Sequence, residues 1–327
     1  MGTGIKGGRF NYLSANLRTK YDWQKYIYTY KVWGRCTYNY KSNDHNFSRY
    51  YSKLFGNSSD DLINALSYAS KILPFFTLVH GVSASNNSYW PEIYENMSIV
   101  ERAPHLPYSY DLHKPSRFGM ATSQDPQLIM SPIELANCIH KKIIINRYSP
   151  ITMSNWFGSY ANKAKFFLSK AMKNYKQLDN PEFKRLEIDI KILSAMGNFF
   201  SFKIKSACYW ELFLKQKNHK WGIKSVQLYE KANRAWAETA EISKKYYLKD
   251  LTYGPQSWLR GRWDDRLPAI KEDILKMKNI LKKNNIKETR IKNICKLLEI
   301  KNNQQFKIKH IIYKNNKGEL IIELKKD

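Results

Sequence analysis

Apolar residues recur along this chain at helical spacing far more often than at the two-residue spacing of strands, and the longest such run lies in its second half. From Pro181 to about Lys217, Phe183, Leu186, Ile190, Leu193, Gly197, Phe200, Ile204 and Ala207 follow one another at three- and four-residue steps. The stripe predicts a helix of roughly 55 Å at 1.5 Å per residue, opened by Asn180-Pro181-Glu182. Gly197 within it predicts a close approach by another helix. A second run over 220–248 puts Val226, Tyr229, Ala232 or Asn233, Trp236, Ala240 and Tyr247 on one side, so the two predict a long antiparallel helix pair.

Shorter helices are predicted around that pair. Over 19–38, Trp23, Tyr26 or Ile27, Tyr30 and Trp33 make an aromatic helical face that Gly34 ends or kinks. Asp44 or His45 starts a helix through Phe55, closed by Gly56-Asn57, and Ser59 with Asp60 and Asp61 starts another over 60–79. Ser131-Pro132-Ile133-Glu134 supplies an N-cap, a proline in the first turn and a capping-box carboxylate for a helix over 132–144. Further helices fit 152–177, a segment near Leu267 capped by Asp264 or Asp265, and a short stretch at 287–299. The last residues alternate in two runs around Asn315-Asn316-Lys317-Gly318, a β-hairpin signature. The expected fold is mainly α: an N-terminal edge at 1–18, a multi-helix domain at 19–280, and a Lys/Asn-rich linker with a short C-terminal β-hairpin at 281–327, which could open a further β domain.

Composition agrees with a packed body, since 43% hydrophobic and 14% aromatic residues in 327 suffice for a sizeable core. No run of eighteen apolar residues occurs, and MGTGIKGGRF lacks the apolar stretch and cleavage site of a signal peptide. A soluble chain with no membrane contact is therefore expected, cytoplasmic by default. The formal charge of +27, from 55 Lys plus Arg against 28 Asp plus Glu, suggests polyanions. Lys, however, far outnumbers Arg and is dispersed among Asn, Ile and Tyr, whereas phosphate-reading surfaces concentrate charge and favour the guanidinium fork. Nonspecific polyanion binding at low salt is expected, and a non-enzymatic helical protein binding nucleic acid through its Lys-rich 271–327 region is the alternative reading.

Cys36, Cys138, Cys208 and Cys295 lie far apart, with no Cys-x-x-Cys pair and no histidine at ligand spacing. Free thiols and no metal are expected. P-loop, dinucleotide-binding, Gly-x-Ser-x-Gly and His-Glu-x-x-His patterns are absent from the sequence, so no cofactor is expected either.

Candidate chemistry concentrates in HGVSASNNSYWPE, residues 80–92. His80, Ser83, Asn86, Asn87, Tyr89, Trp90 and Glu92 combine aromatic faces with amides and a carboxylate, the groups that receive sugar rings and hydroxyls. The alternative is structural: the amides tie up loop backbone, Trp90 plugs the core, His80 packs or caps, and Glu92 caps a helix starting near Ile93. Residues 93–130 are irregular, and Tyr108, Tyr110 and Phe118 suggest an ordered cover over this loop. Trp258, Arg260, Arg262 and Asp264 form a possible second wall, unless Asp264 and Asp265 are only neutralised by Arg260, Arg262 and Arg266. Glycoside hydrolysis needs two carboxylates about 5 to 9.5 Å apart, and only Glu92 stands out, so the catalytic residues are unknown at this stage.

Three stretches carry a resemblance. YIYTYKVWGRCTYNYKSNDHNFSRYYSKLFG at 26–56, ILPFFTLVHGVSASNNSYWPEIYENMSI at 72–99 and RAWAETAEISKKYYLKDLTYGPQSWLRGRWDDRLPAIKEDI at 234–274 resemble parts of bacterial α-glucuronidase-like glycoside hydrolases. The resemblance spans most of 20–275 and implies a helical region between a barrel and a β-sandwich. It implies a carbohydrate-related accessory portion that is not catalytic alone, with an oligosaccharide as ligand and an upstream barrel domain or partner chain. Any enzymatic activity would be glycoside-hydrolase-like.

Overall fold

The computed structural model describes residues 12–42, 44–81, 96–101, 117–144, 146–252, 260–283, 306–314 and 319–326, the last two segments by their backbone. Among the described residues the protein is mainly helical. Its centre is α7 (Pro181–Gln216), against which α3 (Ser59–Ser70), α4 (Ile72–Val79), α5 (Pro132–Lys141), α6 (Pro150–Asn174) and α8 (His219–Tyr246) pack. Around these lie α1 (Ile27–Tyr38), α2 (Asp44–Phe55) and α9 (Leu267–Lys283). Two-residue strands β1 (Leu251–Thr252) and β2 (Arg260–Gly261) pair antiparallel. So do β3 (Phe306–Lys314) and β4 (Glu319–Lys326), while the turn residues 315–318 and the segment 287–299 lie outside the described residues.

The helix starts follow from side chains that satisfy free backbone amides. Asn180 accepts from the Glu182 and Phe183 amides at 3.0 and 3.2 Å, and Ser149 and Asn218 accept from the Thr152 and Lys220 amides. At α5 the full capping box forms: the Ser131 amide donates to Glu134 Oε2 at 2.8 Å, and the Glu134 amide donates back to Ser131 Oγ. Burial works to raise the pKa of Glu134, but these bonds and Arg147 outweigh it and hold the carboxyl below its usual value.

Lys217, left-handed at φ 56°, ends α7, and α8 begins two residues later. So short a link folds the two helices back antiparallel. The side-chain pairing agrees: Ser206 faces Ser225, each hydroxyl donating to the other's carbonyl at 2.8 and 2.7 Å, and Phe199 meets Trp236 edge-on at 4.8 Å. The stripe read from the sequence is buried throughout except for the partly exposed Leu193. Burial nevertheless extends well beyond it, to Ile188, Ile192, Met196, Phe199, Lys203, Trp210 and Glu211. Helices therefore cover α7 on several sides, and it joins two cores. One contains Phe76, Phe157, Phe200 and Trp236, the other Tyr51, Phe55, Leu168 and Phe183.

Several expected elements differ. The helix expected over 60–79 is two helices, because Pro74 has no amide to offer the Ser70 carbonyl and its ring crowds it; the break falls at Lys71. Gly34 does not end α1, which continues to Tyr38. The aromatic face is present but turned outward, with Trp23, Tyr30 and Trp33 48%, 41% and 66% exposed. Tyr28, off that face, is the ring that packs inward, stacked on Tyr51 at 5.0 Å. Within the stretch read as an N-terminal edge, Tyr12 and Leu17 are core residues.

Tyr12 is held by a polar cluster. Its ring stacks on Tyr247 at 4.8 Å, and the Tyr247 hydroxyl accepts from Lys25 Nζ at 2.9 Å and donates to Asp189 Oδ1 at 2.7 Å. Burial opposes the Lys25 charge, yet Asp189 and the surrounding tyrosines outweigh it and raise the Lys25 pKa well above its ordinary value. The cluster ties the start of the described chain to α7 and to the end of α8.

Gly197 lies where three helices converge. A Cβ there would stand 2.8 Å from Ile72 Cδ1 and 3.1 Å from Ala161 Cβ. Ile72 can turn its terminal methyl aside, but Ala161 can move only with α6. Gly197→Val should therefore lower stability by about 1–3 kcal/mol, seen as a lower urea midpoint at unchanged slope.

Candidate functional site

The described residues of the predicted site begin with His80 at the C-terminus of α4. Its amide donates to the Phe76 carbonyl at 2.9 Å, and its 4%-exposed ring lies between Phe76 and Phe118, with centroids at 5.4 and 4.5 Å. The ring is packed between these two aromatic faces. Ser83, Asn86, Asn87, Tyr89, Trp90, Glu92 and Trp258 lie outside the described residues, as do Tyr108 and Tyr110, and Arg260 is described by its backbone alone. Phe118, expected in a cover, is fully buried, because His80 stacks on one side of it and Lys203 Nζ lies 4.6 Å from its centroid.

Both attachments of the 82–95 segment are fastened to the helical body. On the entry side, the Gly81 amide donates to the Thr122 carbonyl at 2.7 Å, and the Gln124 amide donates to the Leu78 carbonyl at 2.9 Å. A Cβ on Gly81 would sit 2.9 Å from that Thr122 oxygen, so this approach needs glycine. On the exit side, Asn96 Oδ1 accepts from Lys203 Nζ at 2.7 Å and from the Tyr229 hydroxyl at 2.9 Å, and the Met97 carbonyl accepts from the same amine at 2.8 Å. Asp273 then takes the Ser98 hydroxyl at 2.5 Å and the Ile99 amide at 2.9 Å. Side chains from α7, α8 and α9 thus converge on the four residues 96–99.

Of the second predicted wall, the side chains of Arg262 and Asp264 are described, and they form a local network with Asp265. Arg262 Nη2 donates to Asp264 Oδ2 at 2.8 Å and its amide to Asp265 Oδ2 at 2.7 Å. The guanidinium bond holds the Asp264 carboxyl below its usual range. Asp265 thereby opens the turn Trp263–Arg266 that precedes α9, while Asp264 neutralises Arg262.

A column of alternating rings and cations joins the two regions. Beyond His80 and Phe118, Lys203 Nζ also stands 5.6 Å from the Phe199 centroid, and Arg266 lies over Phe199 at 4.7 Å and over Trp236 at 4.2 Å. The Trp236 indole then donates to the Trp263 carbonyl at 2.7 Å. Cations against ring faces recover part of the solvation that burial removes. The sequence reading missed Lys203, although it occupies a core-facing register four residues after Phe199.

Beside the column, one Arg117 nitrogen donates to both oxygens of buried Glu211, at 2.8 and 2.9 Å. Burial raises the Glu211 pKa, and Arg117 opposes the shift without cancelling it. With Glu211 engaged by Arg117 and Asp273 by Ser98 and Ile99, these interior carboxylates act as anchors. Cys36, Cys138 and Cys208 are free thiols, and burial pushes that of Cys208 well above its ordinary pKa, so it is a packing residue. Among the described residues no group of three His, Cys, Asp or Glu side chains is placed to hold a metal ion.

No family model and no curated protein matches the chain. Among solved structures, it superposes on a GH138 enzyme targeting pectin rhamnogalacturonan II with a TM-score of 0.61 and 20% identity. The fold is similar to part of a glycoside hydrolase. The match covers 80% of this chain and 38% of that enzyme, so the chain spans well under half its length. At this identity the GH138 likeness is one of fold.

Removing Arg117 tests the anchor. Arg117→Met leaves a buried carboxylate without its cation and should cost on the order of 3 kcal/mol at pH 7 in urea unfolding. In that variant the folded-state pKa of Glu211 rises further above its ordinary value of 4.5. A carboxyl raised in the folded state contributes most below its unfolded pKa and loses that contribution as pH rises through the folded one. The deficit should therefore shrink as pH falls from 7 towards 4.5, and Glu211→Gln in the Arg117→Met background should remove that pH dependence.

Proposed function

We propose that this chain is the helical, carbohydrate-related accessory portion of a glycoside-hydrolase-like protein and performs no catalysis alone. The observation that carries the reading is the fold likeness, which takes in four-fifths of this chain but 38% of the GH138 enzyme. The segments resembling α-glucuronidase-like proteins support the same class, and so do the interior carboxylates, which are occupied by structural partners. In this reading the 80–92 loop, with Trp90 as its main ring, and the 258–265 region present a sugar-facing surface. The catalytic carboxylates belong to a separate domain or chain. The outward aromatic face of α1, with Trp33 66% exposed, favours a second, compatible role as the contact with that domain.

Binding of neutral oligosaccharides tests the loop without interference from the charge of +27. Titration calorimetry should show Trp90→Ala weakening such binding about tenfold or more at unchanged melting temperature. If wild type binds no oligosaccharide, the ligand role of the loop falls, leaving it as an interdomain contact. The chain alone should hydrolyse no glycoside; a wild-type glycosidase activity that is lost in Glu92→Gln would refute the non-catalytic assignment.

A further inference from the structure

A second site lies away from the 80–92 loop. Between the start of α1, α2 and the first turn of α7 runs an open groove of about 440 Å³, within the range of small-ligand sites. Arg18, Lys20, Lys31 and Arg185 line it, with Trp23 forming part of one side and Glu182 as the one carboxylate that the described residues contribute to its lining.

Among the described residues, none of these four cations forms an ion pair with an acid. Arg18 Nε donates to the Tyr12 carbonyl at 3.1 Å, Arg185 Nη1 donates to the Leu17 carbonyl at 3.4 Å, and Lys20 and Lys31 lie over the rings of Tyr21 and Tyr50 at 5.3 and 4.5 Å. Carbonyls and rings orient these cations without neutralising them, and Glu182 acts on Arg185 and Lys31 from nearby, so it compensates part of the charge and leaves the lining with a cationic excess. Glu182 accepts the Tyr50 hydroxyl at 3.1 Å, so that tyrosine is fixed in the wall. Four cations against one carboxylate favour an anion, and guanidinium forks match carboxylate and sulfate oxygens. The half-exposed indole adds a flat apolar face, which a sugar ring covers and a small inorganic anion does not.

We infer that this groove binds an acidic saccharide, its carboxylate or sulfate held by Arg18, Lys20, Lys31 and Arg185 and one ring face laid on Trp23. The site goes beyond the loop surface of the proposed function, and rests on that reading only for the choice of a saccharide over other anions. Nucleic acid offers rings and charge too, and Tyr21 stacks on Trp23 at 6.2 Å. Tyr21, however, stands outside the described lining, and Tyr50 is fixed in the wall by Glu182. The described lining thus offers Trp23 as its one free platform, where single-strand binding uses successive ones.

The test is calorimetry on the full chain at about 0.15 M salt, where attraction between exposed charges beyond roughly 8 Å is screened. The probes are a galacturonic acid tetramer, a sulfated disaccharide-repeat tetramer, a neutral galactose tetramer and a single-stranded oligonucleotide. One or both acidic saccharides should bind, and the arm that binds identifies the anionic group. Lys31→Gln, Arg185→Gln and Trp23→Ala should each weaken that binding about tenfold. Trp90→Ala should leave it unchanged. Lys31 and Trp23 are exposed, so their variants keep the test valid if Arg185→Gln misfolds. Failure of both acidic probes to bind, equal binding of the neutral tetramer that is lost in the groove variants and kept in Trp90→Ala, or retention of acidic binding in the groove variants would overturn the inference. An oligonucleotide that binds more tightly than either saccharide and is lost in the same variants would overturn it in favour of nucleic acid. Acidic binding lost in Trp90→Ala and kept in the groove variants would overturn the groove while sparing the loop.

Discussion

A helix covered on several sides must find a partner for its buried polar side chains, and α7 imposes this requirement on the whole body. Glu187 is met by Lys184 and Lys191 of the same helix, but its other partners come from elsewhere. Ser206 reaches Ser225 on α8, Lys203 reaches Asn96 and Met97, and Glu211 reaches Arg117. Apolar contact supplies most of the stabilisation, since burying one large side chain is worth about 1.5–3 kcal/mol. Apolar contact is also tolerant of sliding and rotation. The polar pairs are not, because a buried amine or carboxylate displaced from its partner costs several kcal/mol. They fix how far α8 slides along α7 and where the chain re-enters at 96–101.

Much of the scaffold was legible because its signals are local. Asn180-Pro181 and Ser131-Pro132 with Glu134 mark helix starts through groups a few residues apart, and the recurrence from Phe183 to Ala207 marks the central helix through its own spacing. Pro74 is an equally local signal for the break at Lys71, set within an otherwise continuous apolar run. The outward turn of Trp23, Tyr30 and Trp33 is a different matter. Tyr28 wins the inward position through Tyr51, a partner that helical periodicity cannot supply.

The functional surfaces divide along the same line. The 80–92 loop drew notice because its unusual residues are contiguous, whereas the anchors of its attachments are scattered over α7, α8 and α9. Lys203 carried a faint signal, as a charge in a core-facing register, but its acceptor Asn96 stands 107 residues away. The basic groove joins residues near 18–31, Tyr50 and 182–185, so no single window of sequence contains it.

The contact between Tyr12 and Tyr247 also bears on the order in which the body assembles. Their hydroxyls are 235 residues apart, whereas Ser206 and Ser225 are separated by 19 across the α7–α8 turn. Loop-closure entropy scales with the logarithm of length, so the longer connection costs about 2 kcal/mol more if nothing between has folded. The α7–α8 hairpin therefore has the entropic advantage of forming first, and each helix added to it shortens the effective loop that Tyr12 must close. During synthesis the Tyr12 segment emerges before α8, and its binding place exists only once the end of α8 has been made. The first described residues of the chain are thus among the last to find their place.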